Sequence, residues 1–319
     1  MNFDPHPRKM RETLSPRKKA RMGGAWNEVK QHTMSAKYAQ LYSDTRISAL
    51  LDAVNLSEDE TPKEERPYYR VGVGIGSITA KVAVMEGNKL VHSFIFPTGL
   101  NSADAAKRCL DTLEREGYSR EDCAFAATGI GQLAVSYASK NVDIGICHGK
   151  GAHWIYNTDG IVIDVGGQET QVMQVTNGRV ERIASNDRCS AAVGKFLEGT
   201  ASRMGVTQKR LEELAKAGTP RAVGSMCMVF VESELAKMMA QGASNEDLAW
   251  FAVESVACRV APLVPLMPDT SYMITGGQCE NHMLIERLSD KLGVQIKSSP
   301  LGRYAGVIGA ALSLPAKRS

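Results

Sequence analysis

Three glycine-rich turns, GIGSITAK (74–81), DVGGQET (164–170) and TGGQCEN (275–281), each follow a short apolar run. A run of that kind reads as a buried strand, and glycine at its end lets the chain turn sharply and lets backbone amides approach a ligand. Successive amides exposed in such a turn form a concave anion site. Taken singly, each turn also reads as an ordinary tight connection. Three in one chain, two with a hydroxyl or carboxylate alongside, point to a phosphate-bearing ligand. Neither the P-loop nor the dinucleotide fingerprint is present, because a hairpin rather than a helix follows GIGSITAK and its Gly-Lys spacing is wrong. Asp164 ends the apolar run GIVIDV (160–165), where a carboxylate is costly unless it meets Mg²⁺, water or a donor.

The rest of the chain fits around these turns. YYRVGVGIGSITAKVAVME reads as a β-hairpin, KLVHSFIFPTG as a third strand and SADAAKRCLDTLEREG as an amphipathic helix with Ala106, Cys109, Leu110 and Leu113 on one face. CAFAATGIG is a strand running into a glycine loop, and VMQVTNGRVERI is a hairpin turning at Asn177-Gly178. A helical block covers about 188–265, followed by the strand SYMIT, the loop GGQCEN, a helix, the strand VQIKSS and a closing helix AGVIGAALSL. Strands first and a helix later, twice over, outline a duplicated α/β fold.

Residues 1–67 have a different texture. PRKMRETLSPRKKARM is basic and broken by prolines, SAKYAQLYSDTRISALLDAV has helical spacing, and SEDETPKEERP is an acidic linker bounded by prolines. Two readings are open: a solvated tail, or an arm with one helix that wraps a partner subunit. The net charge of +3 gives no case for nucleic acid. No apolar run approaches the roughly 18–20 residues that span a bilayer. The basic N-terminus lacks the apolar core of a signal peptide, so the expected location is cytoplasmic.

Seven cysteines, at 109, 123, 147, 189, 227, 258 and 279, include no CxxC pair, so neither a disulfide framework nor a metal site built from one short segment is expected. Two of them share a setting. NDRCSAAVGKFLE (186–198) and SMCMVFVESEL (225–235) each put a cysteine where a polar loop opens a helix, Cys189 and Cys227. Ala192, Val193, Phe196 and Leu197 follow the first; Val231, Leu235, Met238 and Met239 follow the second, as apolar scaffold. These thiols read either as two small structural residues or as two ligands of one centre. A helix N-terminus lowers thiol pKa and offers N–H donors to sulfur, which fits ligation, but the residues alone leave both readings open.

The glycine hairpin, the Asp-x-Gly-Gly turn and the late Gly-Gly loop resemble the two phosphate motifs and the adenosine motif of the acetate kinase, sugar kinase, Hsp70 and actin superfamily. DVGGQET, NDRCSAAVGKFLE, CMVFVESE, TGGQCEN and YAGVIGAAL together resemble the BadF/BadG/BcrA/BcrD ATPases, from about residue 70 to 314. The resemblance implies a two-lobed, duplicated ribonuclease-H-like α/β fold: an extension at 1–67, a first lobe at 68–157 and a second at 158–319 that includes a helical cluster-binding segment at 186–265. It implies ATP or ADP with Mg²⁺ on Gly76, Ser77, Thr79, Lys81, Gly129, Gly166, Gly167, Gln168, Gly276, Gly277 and Asn281, with Asp164 as the catalytic carboxylate. It also implies a 4Fe–4S cluster held by Cys189 and Cys227 from each of two subunits, since a cubane takes four thiolates. The remaining cysteines are expected to be small packed residues.

The implied activity is ATP-dependent delivery of low-potential electrons to catalytic CoA-ester reductase subunits of the benzoyl-CoA reductase type. The expected partners are a paralogous ATPase subunit or a second copy of the chain, with ferredoxin as electron donor. The alternatives are a homodimeric activator of a 2-hydroxyacyl-CoA dehydratase, a non-hydrolytic ATP-gated assembly or maturation factor, and a sugar or acid kinase. Three positions depart from the family pattern. Gly74 stands where the first loop carries aspartate, Gln132 where TGYGR carries arginine, and Glu169 where an aspartate follows GGQ. Loss of the first carboxylate implies slow hydrolysis by this subunit alone, with binding kept.

Overall fold

β1 (Tyr69–Ile75) and β2 (Thr79–Glu86) form an antiparallel hairpin closed at Gly76, whose N–H donates to the carbonyl of Thr79 at 3.1 Å. The computed structural model describes residues 68–186, 193–224 and 227–316; the extension at 1–67 and Cys189 lie outside the described residues. β3 (Lys89–Pro97) pairs with β2, and helix α1 (Ser102–Arg115) leads to β4 (Cys123–Thr128), which runs parallel to β1. The two-residue β5 (Lys140–Asn141) completes a sheet ordered β3-β2-β1-β4-β5.

The second half repeats this plan. β6 (Gly160–Val165), β7 (Thr170–Thr176) and β8 (Arg179–Ser185) form an antiparallel meander, and β9 (Tyr272–Thr275) and β10 (Ile296–Lys297) add parallel strands on the other side of β6. The order β10-β9-β6-β7-β8 is that of the first sheet read from its other edge. The correspondence extends to single residues. Gly166 N–H donates to the Glu169 carbonyl at 3.0 Å as Gly76 does to Thr79, and the register slips at Gln174/Val175 as at Val84/Met85. Gly129 and Gly276, which follow β4 and β9, have φ of +88° and +86°. In this correspondence Gly74 is the counterpart of Asp164, since Gly74 lies opposite Lys81 and Thr128, and Asp164 opposite Gln171 and Thr275.

Where the first repeat has one helix between its third and fourth strands, the second has four among the described residues: α3 (Val193–Arg203), α4 (Gln208–Ala215), α5 (Met228–Ala240) and α6 (Asn245–Val260). With α7 (His282–Leu292) they build the largest apolar core, over one face of the second sheet. Ile161, Ile163 and Val165 of β6 point into it, so by strand alternation Val162 and Asp164 point to the opposite face. That face is covered by α2 (Ile144–Tyr156), with Ala152 packed on Val162, Met173, Val175 and Met273. The closing helix α8 (Ala305–Ala311) packs instead on β1 and β2, with Val307, Ile308 and Ala311 against Ala83 and Met85. α2, which precedes β6 in the chain, covers the second sheet, and α8, which follows β10, packs on the first. α2 and α8 cross closely, since a Cβ on Gly151 would stand 1.9 Å from the Ala305 carbonyl and one on Gly309 1.8 Å from that of Cys147.

α2 is an element that sequence reasoning missed. It has a clear start, with Asp143 accepting N–H bonds from Gly145 and Ile146 at 2.9 and 3.1 Å, and it stops at Asn157 with φ +48°. Glycine at 145, 149 and 151 weakens helix propensity, and burial on several sides leaves no polar face to reveal the period. Both sheets belong to one compact unit, Tyr68–Asp111 with Arg120–Ser319. No helix among the described residues is long and apolar enough to cross a membrane.

Candidate functional site

The first two glycine turns face one another. A Cβ on Gly167 would stand 2.8 Å from Ser77 Oγ, and the N-terminal turn of α3 abuts the second loop, where Lys195 N–H donates to the Gly167 carbonyl at 3.0 Å. Gly76 is pinned from behind by Thr98, whose hydroxyl donates to its carbonyl at 2.8 Å. Gly76, Ser77 and Thr79 lie at one hairpin tip; Gly166, Gly167 and Gln168 lie at the other. Gly129 begins the loop beyond β4, where Gly131 N–H donates to the Ile75 carbonyl at 2.9 Å. Gly276 and Gly277 begin the loop beyond β9, where Gln278 N–H donates to the Val165 carbonyl at 3.3 Å.

That third loop is tied down at several points. Asn281 caps α7 by accepting from Leu284 N–H at 3.0 Å, and its amide donates to Gln278 Oε1 at 3.1 Å. Gln278 donates on to Gln208 of α4 at 3.3 Å, and Arg303 pairs with Glu280. The Asn281 side chain is therefore spent on holding the loop.

Asp164 is the charged centre of this region. It is buried, and its Oδ1 has no hydrogen-bond partner among the described residues. Burial pushes its pKa up, against the pull of His148 and Lys81. Lys81 reaches in from β2 as a half-buried ammonium; burial lowers its pKa, opposed by the charge of Asp164. A buried carboxylate with an oxygen that has no hydrogen-bond partner among the described residues, and a half-buried lysine whose charge acts on it, form a site suited to a charged guest. Backbone amides at the loop tips suit phosphate oxygens, and Asp164 suits a divalent cation or a water.

Gly74 pairs with Lys81 in the first sheet, and its space is filled. A Cβ there would meet Val307 Cγ1 of α8 at 2.7 Å.

Cys227 is exposed at the N-cap of α5, its side chain not capping the helix, while its carbonyl accepts from the N–H groups of Phe230 and Val231. α5 buries only Met228, Val231, Leu235 and Met238; Met239, expected in that stripe, is exposed because it falls outside it, as are Val229 and Phe230. Cys109, Cys147 and Cys279 are buried, and burial pushes their thiols up to about 12, 12 and 11. Those three stay protonated at neutral pH and are poor metal ligands, whereas an exposed thiol at a helix start suits a soft-metal centre. No group of three or more ligating side chains gathers among the described residues.

The family model for the BadF/BadG/BcrA/BcrD ATPases matches residues 71–313. The chain belongs to that family. It is 35% identical over 251 residues to the (R)-2-hydroxyglutaryl-CoA dehydratase activating ATPase of Acidaminococcus fermentans, covering 76% of this chain and 96% of the relative. It is 25% identical over 255 residues to a benzoyl-CoA reductase subunit of Thauera aromatica, covering 76% and 90%. Among solved structures, the activator of the 2-hydroxyisocaproyl-CoA dehydratase from Clostridium difficile with bound ADPNP matches with a TM-score of 0.69, 28% identity, and 77% and 93% coverage. The BadF/BadG/BcrA/BcrD chain described here shares its duplicated fold with a ROK family glucokinase from Streptomyces griseus, at 14% identity and a TM-score of 0.50.

Proposed function

We propose that the chain is the activating ATPase of a CoA-ester dehydratase system, a dimer that couples nucleotide turnover to electron delivery through a shared 4Fe–4S cluster. Benzoyl-CoA reductase, the system set first on the sequence, is the second reading. Similarity supports this order, being higher to a dehydratase activator at 35% than to a reductase component at 25%. The observation that carries the ATPase reading is the convergence of two facing glycine hairpins on the buried Asp164, whose Oδ1 has no hydrogen-bond partner among the described residues, with Lys81 beside it.

In this reading amides at Gly76, Ser77, Gly166, Gly167 and Gln168, and the Ser77 and Thr79 hydroxyls, hold phosphate oxygens, and Lys81 neutralises their charge. Gly129, Gly276 and Gly277 leave room for the nucleoside, and Asn281 fixes the loop beneath it. Asp164 positions Mg²⁺ or the water that attacks the γ-phosphorus, expelling ADP. Cys189 and Cys227 of each subunit are the cluster ligands, and a bound cluster supplies a one-electron carrier of low potential. The exposed Val229 and Phe230 beside Cys227 suit burial against a second copy or a paralogous subunit. Ferredoxin is the proposed donor and the cytoplasm the proposed location. The test is oxygen-free purification of the native complex with its partners identified by mass spectrometry. Dehydratase subunits support the first reading, reductase subunits the second, and neither with a stoichiometric acceptor sugar phosphorylated would overturn both.

A further inference from the structure

α2 brings His148 into the centre of the candidate site. Its Nδ1 lies 2.9 Å from Thr275 Oγ1 and 3.6 Å from Asp164 Oδ1. On the far side of the ring a Cβ on Gly306 of α8 would stand 2.8 Å from Nε2. The imidazole is thus wedged between two strand ends and the crossing helix, and both it and Thr275 are buried. Oδ1 of Asp164 is buried with no hydrogen-bond partner among the described residues, and the ring nitrogen that faces it is His148 Nδ1, which in its protonated tautomer is a donor set between Oδ1 and Thr275 Oγ1.

We propose that His148, held by Thr275, is a positioning residue for the Asp164 carboxylate: it keeps Oδ1 turned into the protein and so directs Oδ2 at the bound nucleotide. The proposal rests on the reading of Asp164 as the hydrolytic carboxylate. A histidine that merely fills the α2–α8 crossing would alter stability and leave the chemistry alone. A positioning histidine alters the chemical step and leaves nucleotide affinity intact, because misplacing a reacting group by about 1 Å costs on the order of a hundredfold.

The experiment uses the full-length chain, with Mg-ATP affinity measured by equilibrium binding and hydrolysis by single-turnover release of radiolabelled phosphate, followed over hours. His148→Ala and Thr275→Val are expected to slow release by roughly ten- to a hundredfold, with affinity within about threefold of wild type. His148→Asn, whose amide reaches the Nδ1 position, should restore most of the rate, and His148→Gln should not. Wild-type release from His148→Ala alongside slow release from Asp164→Asn would overturn the inference and spare the reading beneath it. Should His148→Ala fail to fold, equal rates from the Asn and Gln variants overturn it. Wild-type release from Asp164→Asn, or no release from the wild-type chain, would overturn the reading and the inference together.

Discussion

Cγ1 of Val307 sits 2.7 Å from the point that a Cβ on Gly74 would occupy, so the closing helix fills the space a first-repeat carboxylate would need. The two repeats are thereby made unequal, with Asp164 at the end of β6 and a plugged glycine at the same place in β1. Introducing the acid alone overpacks this contact, at a cost of about 1–3 kcal/mol. Gly74→Asp is expected to lower the melting temperature without raising hydrolysis. Gly74→Asp with Val307→Ala should restore stability and raise phosphate release at least roughly tenfold at unchanged affinity, since positioned charge acts on rate. A double variant no faster than Val307→Ala alone contradicts this account of the asymmetry.

Adjacent glycines in the third loop should behave differently. Gly276 has φ +86°, and a Cβ there would stand 2.1 Å from Asp164 Oδ1, so Gly276→Ala is expected to destabilise the fold by roughly 1–3 kcal/mol. A Cβ on Gly277 meets only the Val165 carbonyl, at 3.9 Å. Gly277→Val should therefore melt like wild type yet lose at least roughly tenfold in Mg-ATP affinity, because its branched side chain enters the space left for the nucleoside. Unchanged affinity in a well-folded Gly277→Val protein would place the nucleotide elsewhere.

Most of the strand framework was legible because the hairpin turns carried local signals, Gly-Ser at 76–77, Gly-Gly at 166–167 and Asn-Gly at 177–178, whereas the two-residue β5 at Lys140–Asn141 has none and was missed. Asp164 was legible for the same reason, as a lone carboxylate closing an apolar run. His148 was not. Its helix has three glycines and no polar face, and its partner Thr275 lies 127 residues away, so nothing near it in sequence announces their contact. Val307 escaped likewise, because a valine in an apolar helix signals burial but not which glycine it covers. The exchange of α2 and α8 between the sheets is a matter of chain crossing, to which residue pattern is blind.

Behind the site, Glu254 of α6 accepts from Arg287 Nε at 2.8 Å and pairs with Lys291 Nζ at 2.5 Å, tying α6 to α7. Burial pushes the Glu254 carboxyl up, but the hydrogen bonds and charges of Arg287 and Lys291 together outweigh it and hold its pKa below the ordinary value. A carboxylate lowered on folding contributes stability that is fully present above its ordinary value of 4.5 and is lost as pH falls through the lowered one. Glu254→Gln should cost near the low end of ~3–5 kcal/mol at pH 7, because both cations keep partial solvent access. The melting-temperature gap between the two proteins should narrow below pH 4.5. A gap that stays constant down to pH 3 would contradict the ion-pair assignment.

The most direct test of the whole account is the iron content and EPR spectrum of the chain purified without oxygen. Wild type is expected to carry about four iron atoms per dimer with the spectrum of a reduced 4Fe–4S cluster. Cys227→Ser and Cys189→Ser should each lose the iron, while Cys109→Ser, a buried thiol pushed up to about 12, should keep it. Full iron in both the Cys227→Ser and Cys189→Ser proteins would contradict the shared cluster and, with it, the electron-delivering function.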